Sequence, residues 1–299
     1  MPIHLPPISR RRFIRGSMAA GAALLLGPRL SGARLADDGP EVWAMLSDTH
    51  IAADPAELGR GINMTDHLKQ VCGEILAMPN LPAGVIVHGD CAFSTGRLGD
   101  YQQMLKLLQP LRENKLPIHL ALGNHDNLQR FLNAVGPQTP SAVEEKYVSL
   151  VQSRHANFFV LDSLNGYPPS NPGFLGEAQL RWLASKLDEH TDRPAIVVVH
   201  HNPPKMDDYP QLLELMDQRA HVKAMFHGHR HIWGLDRTPG GVHLINLLPV
   251  AYPSPRAPEP GASGWTQASF TRDAVQLHVR CIKPDNPLHD SIHELRWRS

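Results

Sequence analysis

Three histidines stand two residues apart in Met225-Phe226-His227-Gly228-His229-Arg230-His231. In an extended chain alternate residues share a face, their Cα atoms roughly 6–7 Å apart. That spacing suits imidazoles gripping neighbouring metal ions, and it equally suits the polar face of a plain strand. Four more stretches hold acids, amides or histidines: Asp48-Thr49-His50, Gly89-Asp90, Gly123-Asn124-His125-Asp126 and His200-His201. Each alone is ambiguous. Asp-x-His pairs and Gly-Asp turns are frequent in loops, and a histidine closing an apolar run, as His200 does, can simply be a satisfied core residue. Taken together they are carboxylates, imidazoles and an amide without thiolate, a donor set that suits Mn, Fe or Zn and does not choose among them. Two divalent ions outweigh two carboxylates, so such a centre stays positive and receives a phosphate ester well.

For these stretches to meet, each must leave the end of a strand, and the chain is laid out that way. Runs 42–46, 84–88, 118–122, 195–199 and 222–226 are short and apolar. The fourth is almost wholly branched aliphatic, the pattern of a strand buried on both faces. Helical spacing marks 64–77, 101–111, 211–218 and 177–189, the last with Leu180, Leu183, Ala184 and Leu187 in register. Residues 147–152 and 155–161 read as a hairpin. After residue 241, runs 242–247, 267–271 and 275–282 read as a mostly antiparallel meander around a Pro/Gly-rich loop at 249–264. The expectation is one α/β domain over 40–299, two sheets packed together with helices outside. In open α/β sheets ligands bind beyond the carboxyl ends of the strands, so all five stretches deliver polar groups to one rim.

The 299 residues carry 29 basic and 29 acidic side chains, 27 prolines and 18 histidines. The balance gives no argument for nucleic acid, and no long apolar span argues for a membrane-embedded body. Cys72, Cys91 and Cys281 follow no metal-ligand spacing; a disulfide between two of them is open, and the sequence selects no pair. Residues 1–36 stand apart. Ser9-Arg10-Arg11-Arg12-Phe13-Ile14-Arg15 precedes an apolar run of small residues at 16–27, shorter than the ~20 residues a membrane span needs. The segment resembles a twin-arginine export signal, with cleavage expected after Ala33 or Ala36. It implies a precursor handled by the twin-arginine machinery and a mature protein in the periplasm or beyond, with no membrane association after cleavage.

The ordered set D-x-H, G-D, G-N-H-(D/E), strand-end His and G-H-x-H resembles the calcineurin-like metallophosphoesterase superfamily, across residues 42 to about 250. That resemblance implies a four-layer α/β/β/α sandwich of two mixed sheets with a dinuclear metal site at the C-terminal rim of the strands. It implies one ion on Asp48, His50 and His231, a second on Asn124, His200 and His229, and Asp90 bridging both. His227 then takes a supporting place. His201 is the alternative to His200, since His200-His201-Asn202-Pro203-Pro204 departs from the family spacing of histidine and proline. The implied chemistry is hydrolysis of a phosphoric ester by a hydroxide held between the ions. His125 is the acid, Asp126 either orients His125 or caps its loop, and Asn124, His125 and His201 contact substrate. Phe93 and His50 stand where the tyrosinate-ligated branch has tyrosine and glycine, so that branch is disfavoured.

Residues 158–163 and 173–183 look like the corresponding region of cyclic-nucleotide phosphodiesterases, although Leu180 and Trp182 also fit an ordinary amphipathic helix. The substrate expected is therefore a small phosphoester, diester or monoester, with 3′,5′-cyclic nucleotides as the narrower alternative. Loops 165–172 and 202–208 are expected to line its pocket. A non-catalytic binding scaffold on the same fold and a metal-storage protein are the rival classes.

Overall fold

The computed structural model describes residues 3–5, 39–136, 141–166, 168–258 and 260–299. The twin-arginine pattern and both cleavage positions lie outside them. The chain opens with β1 (Ile3–Leu5), β2 (Glu41–Leu46), the pair β3 (Leu58–Gly59) and β4 (Ile62–Asn63), α1 (Met64–Leu76), β5 (Gly84–His88), α2 (Leu98–Leu107), α3 (Gln109–Glu113), β6 (Ile118–Ala121) and α4 (Leu128–Val135). It continues through β7 (Ser149–Gln152), β8 (Asn157–Val160), α5 (Glu177–Glu189), β9 (Ala195–Val198), α6 (Tyr209–Asp217), β10 (Val222–His227), β11 (Gly234–Arg237) and β12 (His243–Asn246). β13 (Gly264–Phe270), β14 (Ala274–Cys281) and β15 (Ile292–Arg296) close it.

Among the described residues, seven strands form one sheet in the order β1-β6-β5-β2-β13-β14-β15, and six form the other, β11-β12-β10-β9-β8-β7. The middle of each is parallel: β2, β5 and β6 in the first, β8, β9, β10 and β12 in the second. The outer strands are antiparallel, so both sheets are mixed. Alternation along each strand builds the layers. Trp43, Met45 and Ile86 face the second sheet and meet Phe158, Val160, Ile196, Val198 and Phe226. Their neighbours Ala44, Leu46, Val85 and Val87 share a core with Leu68, Val71 and Ile75 of α1 and Met104 of α2. On the far side, Phe159, Val197 and Met225 pack with Leu183 and Leu187 of α5 and Leu212 and Met216 of α6. The result is the α/β/β/α sandwich that the sequence implied.

Three expectations change. The helix expected over 101–111 is two, broken between Leu107 and Gln109, with Pro110 in the first turn of α3, where a missing N–H costs nothing. α4 was not foreseen, although the Asn127 side chain caps it by accepting from the Arg130 N–H at 3.0 Å. The C-terminal meander is divided: β13 to β15 extend the first sheet, whereas β12 joins the second, parallel to β10. Its partner β11 supplies the return that makes this possible. All three cysteines are buried and free, and no described helix is long and apolar enough to cross a membrane.

Candidate metal centre

The rims of the parallel strands converge because their loops are tied together through the backbone. The loop after β2 zips onto the loop after β5, with Asp48 N–H donating to Gly89 O at 3.1 Å and His50 N–H to Asp90 O at 2.9 Å. Gly228 N–H donates to His200 O at 3.0 Å, joining the ends of β9 and β10. Across the seam, Val250 and Ala251 N–H donate to Ser47 and Asp48 carbonyls at 2.8 and 3.0 Å. Gly228 is required by crowding: a Cβ there would lie 1.9 Å from Ser47 Oγ and 2.4 Å from Asp48 Oδ2. Asp48, His50, Asp90, His229 and His231 all have positive φ, between 43° and 69°. Backbone of this kind costs of order 1 kcal/mol or more per residue and collects at functional sites.

Two donor groups result among the described residues. Ligand atoms of Asp48, His50, Asp90 and His231 lie within 4.8 Å of one another, and so do those of Asp90, His200 and His229. Asp90 belongs to both. In the first group His50 Nε2 is 3.1 Å from His231 Nε2, and His231 Nε2 is 3.2 Å from Asp48 Oδ1. In the second, His200 Nε2 is 3.3 Å from Asp90 Oδ2, and Asn124 Oδ1 lies 3.1 Å from His200 Nε2 and 2.8 Å from His229 Nδ1. All seven residues implied by the sequence are thus in one place.

The donor set fits divalent ions by its protonation. His231 Nδ1 lies 2.6 Å from Tyr252 O and His200 Nδ1 2.8 Å from His88 O. A carbonyl only accepts, so each Nδ1 carries the proton and each Nε2 can turn a lone pair toward the cluster. Without metal the carboxylates share it with protons. Burial alone would raise the Asp48 carboxyl, but His231 outweighs it and holds Asp48 below the ordinary range; His200 does the same for Asp90. Burial lowers His200, yet the Asp90 charge prevails and lifts it to about 9. Burial brings His50 down to about 3 and His229 to about 4, so both are neutral imidazoles ready to ligate.

His125 sits on the open side, its N–H donating to Asp90 Oδ1 at 2.9 Å and its Nδ1 2.6 Å from Ser94 O. Asp126 does not orient it. Both Asp126 oxygens are taken by backbone, from Cys91 N–H at 3.1 Å, Ala92 N–H at 3.0 Å and Gly123 N–H at 2.9 Å. This buried carboxylate, pushed up to about 6 by burial and then by Asp90, fastens the β5 loop to the β6 loop. The expected orienting role belongs to the Ser94 carbonyl, which sequence cannot signal because every residue has one. His201 lies outside both donor groups; its Nδ1 is 2.8 Å from Ser163 Oγ and its ring centroid 4.7 Å from that of His229. His227 is buried next to the cluster but joins neither group.

A cavity of about 290 Å³ opens beside Asn124 and His125, lined also by Thr95, Asn127, Gln129, Glu145, Leu164, Gly166 and Pro169. Loop 165–172 therefore contributes to it as expected. Loop 202–208 does not line this cavity; it forms a short 3₁₀ helix, Pro203–Lys205, and bridges Gly173 at Met206.

Residues 44–233 match the profile of the calcineurin-like phosphoesterases. The glycerophosphodiester phosphodiesterase GpdQ of Enterobacter lignolyticus is 27% identical over 201 residues, 63% of this chain and 70% of that protein. A probable cyclic nucleotide phosphodiesterase of Rhodococcus erythropolis is 28% identical over 62% of this chain and 63% of its own length. The 3′,5′-cyclic adenosine monophosphate phosphodiesterase CpdA of Haemophilus influenzae is 26% identical over 62% of this chain and 68% of its own length. Among solved structures, a dimetal phosphatase from Danio rerio superposes with a TM-score of 0.66 at 14% identity, over 87% of this chain and all of that one.

Proposed function

The chain belongs to the calcineurin-like phosphoesterase family and is a metal-dependent hydrolase of phosphoric esters; from that premise we propose that its substrate is a phosphodiester and that the seven converging side chains hold two ions. Asp48, His50 and His231 take one, Asn124, His200 and His229 the other, and Asp90 both. The observation that carries the proposal is the sharing of Asp90 between two compact donor groups. Two divalent ions, when bound, supply Lewis-acid charge and a water-derived nucleophile of lowered pKa.

The protein's own groups then divide the remaining work. Asn124, with its Oδ1 turned to the His200 and His229 rings, fixes the edge of the centre that meets the cavity. Ser94 O holds His125 Nδ1 as a donor, so Nε2 is the atom that passes a proton to the departing alcohol oxygen. Leu164, Pro169 and the amides of Asn127 and Gln129 receive that alcohol in the cavity. His201, buried behind His229, supports this edge of the centre.

The twin-arginine pattern supports export of the folded precursor, and outside the cytoplasm an environmental phosphodiester is a more available substrate than a signalling nucleotide. A second reading, hydrolysis of 3′,5′-cyclic nucleotides, rests on the cyclic-nucleotide enzymes among the relatives, which are about as similar as the glycerophosphodiester enzyme. The test is a panel of bis(p-nitrophenyl) phosphate, p-nitrophenyl phosphate, glycerophosphodiesters and cyclic AMP with the Mn²⁺-loaded mature protein. The proposal expects kcat/KM at least about tenfold higher for an open diester than for the monoester or for cyclic AMP. A preference for the monoester overturns it, and a preference for cyclic AMP selects the second reading.

A further inference from the structure

The His50–His231 half of the centre is backed by an aromatic ring that belongs to neither donor group. Tyr252 stacks on His50 (centroids 5.2 Å apart, planes 21°) and on His231 (5.2 Å, 30°), while its own carbonyl takes the His231 Nδ1 proton. The ring is itself held. In the β3–β4 hairpin both turn residues, Arg60 and Gly61, have positive φ, 52° and 79°, as a type I′ turn requires. That tight turn lays the Arg60 guanidinium over the Tyr252 ring, 4.6 Å from its centroid, and ties it by a 2.8 Å bond to Pro253 O. It also brings Gly59 so close that a Cβ there would lie 2.3 Å from Tyr252 Cε1. Among the described residues, the rings against His200 and His229 are other histidines, set edge-on or tilted and not stacked.

We infer that Tyr252, clamped by the β3–β4 hairpin, is a positioning residue that pre-sets the His50–His231 half of the centre for its ion. The inference rests on the two-ion reading above. Its ring touches two ligands from outside the cluster, so it acts on how well one ion is held and takes no part in the reaction itself. Groups that orient metal-binding histidines typically contribute ten- to a hundredfold in affinity.

Zn²⁺ titration of the apoprotein by calorimetry, with Tyr252→Leu, Tyr252→Phe and Arg60→Ala, tests this. Tyr252→Leu keeps the carbonyl and loses the ring; we expect about a tenfold weaker Kd in one of two binding steps, with Tyr252→Phe restoring it. Arg60 is exposed, so its removal leaves the fold intact and keeps the inference testable if the leucine variant does not fold; it weakens the same step by a smaller factor. Wild-type constants in both steps for Tyr252→Leu, or for Arg60→Ala where the leucine variant is unfolded, overturn the inference. A wild-type protein that takes up fewer than two ions overturns the two-ion reading instead.

Discussion

The two halves of the centre are built from similar donors and held in different ways. The Asp48–His50–His231 half is fastened from behind: Ser47 Oγ donates to Asp48 Oδ2 at 2.5 Å, the His229 N–H donates to the same carboxylate at 3.2 Å, and Tyr252 covers both imidazoles. The Asn124–His200–His229 half is anchored more lightly, by His88 O on His200, and borders the cavity that also contains His125. One half is a fixed seat, and the other borders the cavity, the face on which the proposed substrate would arrive. The difference follows from topology. The loop after β2 and the 249–254 loop are stitched together by backbone hydrogen bonds, whereas Asn124 and His125 ride on a loop whose own anchor is the buried Asp126 carboxylate.

The largest effect is expected where the halves join. Asp90→Asn weakens both sites at once and lowers kcat by about 10³-fold, the several kcal/mol that paired ions supply; a loss under tenfold would separate Asp90 from the chemistry. Next comes the working half alone. His200→Ala leaves the protein with one ion by elemental analysis, while His201→Ala retains two; the reverse pattern would exchange their roles and redraw that half. The smallest effect concerns the leaving group. His125→Ala costs about a hundredfold on an alkyl diester but under tenfold on bis(p-nitrophenyl) phosphate, whose departing phenolate needs little protonation. Asp126→Asn keeps the wild-type dependence on leaving group, because its carboxylate meets backbone N–H groups and not the His125 ring.

What could be read from the sequence was what local pattern encodes. The parallel strands β5 and β9 show as short apolar runs because both faces are buried, one against the other sheet and one beneath helices. The donors of the centre show because each follows such a run. Long-range pairing does not announce itself: nothing within 242–247 says that β12 lies beside β10 and not beside β13. α4 begins directly after the Gly123–Asn127 turn and is only eight residues long, so it is passed over although Leu128, Phe131, Leu132 and Val135 recur at helical spacing behind the Asn127 cap. Ser94 and the Tyr252 carbonyl escape because a backbone oxygen has no residue signature. The Tyr252 ring lay in a stretch that composition marks only as a loop, and its role depends on a hairpin nearly two hundred residues earlier in the chain.

The central claim is that Asp90 sits between two ions. Anomalous diffraction from crystals of the Mn²⁺-loaded protein, collected above and below the manganese edge, tests it without recourse to turnover. The account predicts two peaks about 3.5–4 Å apart, both within bonding distance of Asp90, one also beside Asp48, His50 and His231 and the other beside Asn124, His200 and His229. A single peak, or two peaks of which one lies away from Asp90, would contradict it.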